Sequence, residues 1–266
     1  MGNVLTVDIG NTNIVVGSWD NDELISTGRI QTKRDYTEDE LEKEIRVCVG
    51  DDAFEGGILS SVVPEITDKT LNAIEKITEK RPLLMGPFLH TGIDVSGYGM
   101  QKSDSLDCRI EKGKSRLGVD RIVDLSAASA LNPGRPVMTC DLGSCTTITV
   151  ADSDGRLIGG MITAGIQMSL DAEVLRTSQL PQLEAGMVTS ILGTDTDSNM
   201  LSGAVAGTGL MIFAVADRIE KEYDLTDMAL VLTGGLGKLV LPWIEHEVVY
   251  EPDLLLKGLY EIYKMN

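Results

Sequence analysis

The sequence contains few of the residues that build zinc sites and thiol active sites. It has four cysteines, Cys48, Cys108, Cys140 and Cys145, and only two histidines. No two cysteines form a Cys-x-x-Cys pair, so the usual spacing of a zinc site is missing. A catalytic thiolate needs a histidine or a cation beside it, and the sequence around Cys145 offers neither. We therefore expect no zinc site, no cysteine nucleophile and a reduced, cytoplasmic compartment.

Positive charge is also scarce, since 23 lysines and arginines face 41 aspartates and glutamates and leave a net charge of −18. Such a surface repels phosphate backbones, which argues against nucleic acid and anionic membranes as partners. The longest apolar runs fall well short of the roughly 20 residues that span a membrane. A single nucleotide is still compatible with this charge, because it needs only local N–H groups, a lysine or a metal ion.

The common nucleotide-binding loops are missing as well. A Gly-Lys-Ser triplet occurs at 113–115, but Cys108 stands where a Walker loop requires its first glycine. No Gly-x-Gly-x-x-Gly motif follows a strand pattern, so a Rossmann dinucleotide site has no support. A nucleotide site in this chain must therefore use other turns.

What the sequence does contain is an internal repeat. The stretch LTVDIGNTNIVVGSWDNDELI at 5–25 is echoed by MTCDLGSCTTITVADSDGRLI at 138–158, with Asp8 aligned to Asp141 and Gly10 to Gly143. Each copy reads as a β-strand, a glycine turn and two further strands, which predicts a three-stranded antiparallel meander. Helix and strand patterns alternate after each copy. This organisation predicts a duplicated α/β fold.

The periodicity predicts the main elements that follow each repeat. Helices are expected over 37–49, 65–80, 169–180 and 202–224, the first with Leu41, Ile45 and Val49 on one apolar stripe. Strands are expected over 56–63, ended by Pro64, and over 81–86 and 228–235. The helix over 202–224 is apolar on more than one side, so its second side must be buried against the cleft wall, another helix or a second copy of the chain.

The repeated turns suit the binding of phosphate. A tight hairpin rich in Gly and Thr or Ser exposes N–H groups and hydroxyls, and an Asp at the strand end can hold a cation. The alternative is two ordinary hairpins, because Asn-rich and Asp-Gly turns are common. A third turn follows the strand at 231–233, where Gly234 and Gly235 would let a phosphate or a flat group approach the backbone; a simple strand-to-helix turn is the alternative.

The stretch LGVDRIVDLSAASAL at 117–131 adds a candidate base. Asp120 and Arg121 precede an alanine-rich helical pattern. Asp120 could accept a proton from a hydroxyl group, and Arg121 could bind a substrate carboxylate with two hydrogen bonds. The alternative is a helix N-cap aspartate beside a surface arginine.

Six motifs together resemble the type III pantothenate kinase family over nearly the whole chain. They are DIGNT at 8–12, SSVVP at 60–64, GVDR at 118–121, Asp-x-Gly-x-x-Thr-Thr at 141–147, GTDT at 193–196 and TGG at 233–235. The resemblance implies the actin-like ATPase fold, an α/β architecture of two ribonuclease-H-like domains around a nucleotide cleft. We place these domains at 1–117 and 118–266.

The resemblance also implies a reaction and roles for individual residues. The γ-phosphoryl group of ATP, with Mg²⁺, would pass to pantothenate and give 4'-phosphopantothenate, the first step of coenzyme A biosynthesis, in a homodimeric enzyme. Asp120 would accept the hydroxyl proton, and Asp141 would bind K⁺ or NH₄⁺. ATP would contact Asp8, Ile9, Gly10, Asn11, Thr12, Asn13, Ile14, Val15 and Ser144. Pantothenate would contact Gly118, Val119, Asp120, Arg121 and Thr196.

The sequence departs from the family pattern at three places. Its second loop reads DLGSCTT instead of Asp-Phe-Gly-Thr-Ala-Thr-Thr, Ala164-Gly165 replaces Pro-Gly, and Glu111 falls near the position of the family's tyrosine. Two alternatives follow: a kinase of the same fold with a different hydroxyl substrate, and a nucleotide-binding regulator without catalysis. The presence of both Asp8 and Asp120 argues against the regulator.

Overall fold

Two five-stranded sheets of the same topology form the frame of the computed structural model, which describes residues 3–98 and 117–266. The first sheet has the order β3-β2-β1-β4-β5 and the second the order β10-β9-β6-β7-β8. Read from the opposite edge, the second order repeats the first, so β1 corresponds to β6 and β4 to β9. The strands are β1 Asn3–Ile9, β2 Asn13–Asp20, β3 Glu23–Gln31, β4 Phe54–Ser61, β5 Leu83–Leu84, β6 Val137–Leu142, β7 Cys145–Ala151, β8 Leu157–Ala164, β9 Ala229–Thr233 and β10 Val248–Tyr250.

The pairing directions confirm the predicted duplication. In each sheet the first three strands form an antiparallel meander, and the strand that follows the intervening helices returns parallel to the first. The helices are α1 Glu38–Val49, α2 Pro64–Thr78, α3 Val119–Leu131, α4 Ile166–Arg176, α5 Thr196–Tyr223, α6 Gly237–Val240 and α7 Leu254–Lys264.

Local signals explain where the first two helices begin. Thr37 caps α1, accepting a hydrogen bond from the Glu40 N–H, and Glu40 bonds back to Thr37 in a capping box. The predicted stripe of Leu41, Ile45 and Val49 is buried. Pro64 does not end β4, which stops at Ser61; it opens α2 instead, where its missing N–H costs nothing.

Helix α5 begins six residues before the predicted start at 202. Asp195 accepts a hydrogen bond from the Ser198 N–H and so caps the helix at Thr196, and a π-helical turn at Ser202–Ala206 lies inside it. By length and composition this helix could cross a membrane. However, Val205, Ile212 and Ala216 are buried in the second core, as in a core helix of a water-soluble protein.

The chain divides into two compact units. The first contains the described residues 3–93, 117–127 and 254–266, and the second contains 94–98 and 128–253. The predicted boundary after residue 117 stays a prediction. Helix α7, which that prediction assigns to the second domain, belongs to the first unit.

In the first unit, helices cover both faces of the sheet. On one face, Leu5, Val7 and Ile9 of β1 pack in a core with residues of α1 and α2. On the other face, Trp19 of β2 stacks on Tyr260 of α7 with ring centroids 4.4 Å apart. In the second unit, Met138, Cys140 and Leu142 of β6 pack with α4 and α5.

Candidate active site

The turn between β1 and β2 is held by hydrogen bonds on two sides. The Gly10 N–H donates to the Asn13 carbonyl at 3.0 Å. Thr32, just after β3, donates its hydroxyl to the Gly10 carbonyl at 2.8 Å and its N–H to the Thr12 carbonyl at 2.9 Å. Asn11 and Thr12 at the tip are exposed. The turn is therefore a rigid, solvent-facing loop of polar groups.

The residues predicted to contact ATP in this loop differ in which of their atoms a ligand could reach. The Ile9 and Ile14 side chains are fully buried in the core, so a ligand could reach only their backbone. Val15 packs with the cluster around Trp19. Asp8, at the end of β1, is only 7% exposed and lies opposite Ser60 of β4 in the parallel register.

The turn between β6 and β7 is built in the same way. The Gly143 N–H donates to the Cys145 carbonyl at 3.1 Å, and the Gly165 N–H after β8 donates to the Ser144 carbonyl at 3.2 Å. Ser144 is exposed at the tip, and Asp141 lies opposite Thr233 of β9 in the parallel register. The two Asp-x-Gly turns that the sequence pairs thus share a hydrogen-bond pattern, although the Gly143 bond spans two residues where the Gly10 bond spans three.

Two glycines pack directly on this second turn. At Gly165 an added Cβ would lie 2.3 Å from the Ser144 carbonyl oxygen. Gly234 has φ +88°, and its added Cβ would lie 2.5 Å from Asp141 Oδ1. Both distances are far below van der Waals contact, so only glycine fits without a shift. The TGG turn therefore lies against the Asp141 carboxylate.

Asp120 lies inside helix α3, one residue after its start. Its Oδ1 accepts a hydrogen bond from the Arg121 N–H at 3.0 Å, and an added Cβ on Gly118 would lie 2.2 Å from the same oxygen. The N-cap alternative is wrong, because the helix already begins at Val119. Arg121 is only 7% exposed, so the surface-arginine alternative is wrong as well.

Asp8 and helix α3 lie on the same face of the first sheet. Val123 of α3 packs in one buried cluster with Ile58 of β4. Side chains alternate along a strand, so Ser60 points to the same face as Ile58, and Ser60 lies opposite Asp8. The face that carries the Asp8 carboxylate is therefore the one on which the helix of Asp120 and Arg121 packs.

Thr196 is the first residue of α5 and is exposed. The preceding Asp195 caps the helix, and the Ser198 backbone N–H bonded to it holds the pKa of its carboxyl below the usual value. This cap fixes the backbone at Thr196. The Thr196 side chain is therefore attached to a well-defined backbone at the start of the helix.

Two of the described thiols, Cys140 and Cys48, lie in surroundings that disfavour the reactive thiolate. Burial raises the pKa of Cys140 far above its ordinary value, and the charge of Asp141 adds to this. Burial also raises the pKa of the Cys48 thiol, and the charge of Glu44 raises it slightly further. Cys108, Glu111 and the triplet at 113–115 lie outside the described residues.

Of the distant residues that shape these loops, some carry a signal in the sequence and others do not. Thr32 contacts the first turn from 22 positions away, and Gly234 contacts Asp141 through the return of β9. Only the glycine pair of the TGG motif indicated a close backbone approach. Taken together, each unit offers one rigid turn with a carboxylate at its base, and the first adds a second carboxylate beside a buried arginine.

The sequence profile described as type III pantothenate kinase matches residues 4–218. A type III pantothenate kinase of Agathobacter rectalis is 34% identical over 266 residues, covering 98% of this chain and 96% of the relative. Another from an Exiguobacterium species is 31% identical over 268 residues and covers 99% of both chains.

Solved structures with low identity share the fold. An acetate kinase of Porphyromonas gingivalis gives a TM-score of 0.55 at 12% identity over 100% of both chains. A ROK family glucokinase of Streptomyces griseus, solved with glucose and AMPPNP, gives 0.53 at 12% identity, covering 99% of this chain and 98% of that one. At such identity the likeness establishes the actin-like ATPase fold and nothing about substrate.

Proposed function

Because this chain belongs to the type III pantothenate kinase family, we propose that it phosphorylates pantothenate through Asp8, Asp120 and Asp141. The activity of the family is the ATP-dependent phosphorylation of pantothenate in coenzyme A biosynthesis. The observation that carries the residue assignment is the placement of Asp120 and Arg121 on the sheet face that carries Asp8. Family membership over nearly the full length favours pantothenate over another hydroxyl substrate, and catalysis over a regulatory role.

Asp120 is the proton acceptor in this proposal. A primary alcohol is a poor nucleophile, and a carboxylate that takes its proton assists in-line attack on the γ-phosphorus. A bond forms between the hydroxyl oxygen and phosphorus, the bond from phosphorus to the ADP oxygen breaks, and the hydroxyl proton goes to Asp120. Arg121 pairs with the pantothenate carboxylate. Gly118, Val119 and Thr196 complete the substrate contacts.

The two rigid turns hold the nucleotide. The N–H groups and hydroxyls at 8–15 and at Ser144 are the donors for phosphoryl oxygens, in keeping with the exposure of Asn11, Thr12 and Ser144. Positioning and charge neutralisation supply most of the catalysis in phosphoryl transfer. The fixed hydrogen bonds under both turns support such positioning.

The chain's own carboxylates fit the Mg²⁺ that an ATP-dependent activity implies and the monovalent cation that we propose. Mg²⁺ is commonly held by one or two carboxylates together with substrate phosphates, and Asp8 offers one at a strand end. Within the described ranges no group of three or more His, Cys, Asp or Glu residues could hold a metal ion. In this proposal the phosphates supply the remaining ligands of Mg²⁺. Asp141 offers oxygen ligands to K⁺ or NH₄⁺. The ions would neutralise charge on the phosphates.

The assembly we propose is a homodimer formed through the second unit. The edge strand β8 exposes Met161 and Ile162, and α4 exposes Met168 and Leu175. A pocket of about 460 Å³ beside Met161 is lined mainly by apolar side chains of β8 and α5. Exposed apolar side chains along an edge strand, beside such a pocket, favour an interaction surface there. We also propose that the enzyme is cytoplasmic, and its net charge of −18 disfavours nucleic acid and anionic membranes as partners.

The test is an ATP-dependent pantothenate phosphorylation assay with K⁺, NH₄⁺ or Na⁺ as the only monovalent cation. We expect turnover to rise steeply with K⁺ or NH₄⁺ and to stay low in Na⁺. Asp141→Ala should abolish the response, whereas Asp217→Ala, which removes only an exposed ion pair with Lys221, should not. Full activity with monovalent cations rigorously excluded would contradict the role of Asp141.

A further inference from the structure

The turn that follows β9 is fixed by a tyrosine from the neighbouring edge strand. Tyr250, the last residue of β10, donates its hydroxyl proton to the Gly234 carbonyl at 3.2 Å. The same carbonyl accepts the Gly237 N–H at 3.1 Å. Two donors from different elements therefore hold one peptide group of the TGG turn.

The ring of Tyr250 fits this turn as closely as its hydroxyl does. An added Cβ on Gly237 would lie 2.5 Å from a ring carbon, so the ring lies directly against the helix start at α6. The Lys238 ammonium lies 5.7 Å from the ring centroid on the same helix. The ring occupies the space under the turn, which leaves the hydroxyl little freedom to move.

The position of the Gly234 carbonyl sets the direction of the next N–H. In a planar trans peptide the C=O and the following N–H point in opposite directions, so the Gly235 N–H points away from Tyr250. This N–H donates to no acceptor within residues 3–98 and 117–266, and an added Cβ on Gly235 would meet nothing within 4 Å. Gly235 is also exposed, so this donor is accessible to an anionic group.

The same turn also holds Asp141. The Gly234 backbone, at φ +88°, lies against Asp141 Oδ1, and the Leu236 N–H donates to the Leu142 carbonyl at 3.4 Å. A rotation of the Gly234–Gly235 peptide would therefore disturb both the Asp141 carboxylate and the Gly235 N–H. The Tyr250 hydroxyl opposes that rotation.

We propose that Tyr250 is a positioning residue of the kinase site, which sets the Gly235 N–H for a nucleotide phosphate and the Asp141 carboxylate for the monovalent cation. This inference rests on the proposed function of Asp141 for its cation part. Tyr250 itself touches neither the nucleotide nor the ion, and it acts through the Gly234 carbonyl.

The test compares Tyr250→Phe with Tyr260→Phe. Each change removes one hydroxyl bonded to backbone, since the Tyr260 oxygen accepts the Asp22 N–H at 3.2 Å in the first unit. ADP affinity is measured by calorimetry, and the half-activating K⁺ concentration by assay at saturating substrates. We expect Tyr250→Phe to weaken both about 3- to 10-fold, with kcat at saturating K⁺ within about twofold. Tyr260→Phe should change neither.

Each outcome has a definite meaning. If Tyr250→Phe leaves both ADP affinity and K⁺ activation unchanged, or if Tyr260→Phe weakens them equally, the positioning role is overturned. If the wild-type enzyme needs no monovalent cation while Tyr250→Phe still weakens ADP binding, the cation role of Asp141 fails and the positioning role of Tyr250 stands.

Discussion

At the scale of single residues, Asp120 carries the sharpest prediction. Asp120→Asn keeps the shape of the side chain but removes its ability to take a proton, so kcat should fall by about 10²–10⁴. ADP affinity should stay within about twofold, because Asp120 is assigned no contact with the nucleotide. Asp217→Asn, in an exposed ion pair, is the matched control. Turnover near the wild-type value in Asp120→Asn would remove its assignment as the base.

Gly118 tests whether the position of the Asp120 carboxylate matters as much as its charge. A Cβ at residue 118 would lie 2.2 Å from Asp120 Oδ1, so Gly118→Ala must push this carboxylate away. Since displacements of about 1 Å can cost about 10²-fold in rate, we expect kcat to drop by about 10- to 100-fold with little change in melting temperature.

Gly86→Ala is the control for this change, because its added Cβ meets only the Leu84 carbonyl oxygen at an ordinary 3.8 Å. Both kcat and the melting temperature are measured for the two variants. A Gly118→Ala enzyme as active as Gly86→Ala would mean that the carboxylate moves freely before it reacts.

The candidate residues that the sequence singled out share one property, and the residues that only the structure points to share another. Asp8, Asp120 and Asp141 are chemically distinctive and stand at predictable places, strand ends and a helix start. Thr32 and Tyr250 act through backbone carbonyls of distant turns. Residue type and local spacing do not predict such a contact, because it depends on which strands become neighbours.

At the scale of elements, local periodicity predicted helices better than it predicted their ends. The apolar stripe of α1 agrees with the predicted pattern, because it depends only on local spacing. Helix α5 starts earlier than predicted, since Asp195 caps it, and its π-turn at Ser202–Ala206 adds a residue that a 3.6-residue period does not foresee. The strand expected over 81–86 shrinks to Leu83–Leu84 at a sheet edge.

Helix α7 shows how the end of the chain completes the first unit. An added Cβ on Gly258 would lie 2.1 Å from the Val123 carbonyl oxygen of α3, so the two helices touch backbone to backbone. Gly258→Ala should lower the free energy of unfolding by about 1–3 kcal/mol through overpacking. It should also lower kcat, because α3 carries Asp120.

Urea unfolding and the kinase assay measure the two effects, with Gly86→Ala again as the control. The expected order of stability is wild type, then Gly86→Ala close to it, then Gly258→Ala. A Gly258→Ala protein with unchanged stability would show that α7 and α3 separate easily and that α7 adds little to the site.

At the scale of the whole molecule, the duplication is the feature that the sequence predicted best. Two copies of one meander give two sheets of equivalent order and two turns with a similar hydrogen-bond pattern. The sequence could not predict that α7 belongs to the first unit, because nothing in its residues indicates the sheet on which it packs.

The oligomeric state depends on the apolar surface that a single chain leaves exposed. Ile162 on the edge strand β8 is 64% exposed, whereas Met161 and its pocket lie on the other face of this strand, so an interface along the strand edge would cover apolar surface on both faces. A closed two-fold dimer buries one such patch on both subunits at once. We therefore predict that sedimentation finds a particle of twice the 28.7 kDa chain mass that persists on dilution.

Ile162→Asp should place a charge in this interface and yield monomers with reduced activity. Val47→Asp, on α1 at 75% exposure, is the matched control and should stay dimeric and active. A fully active wild-type species of 28.7 kDa would contradict the dimer.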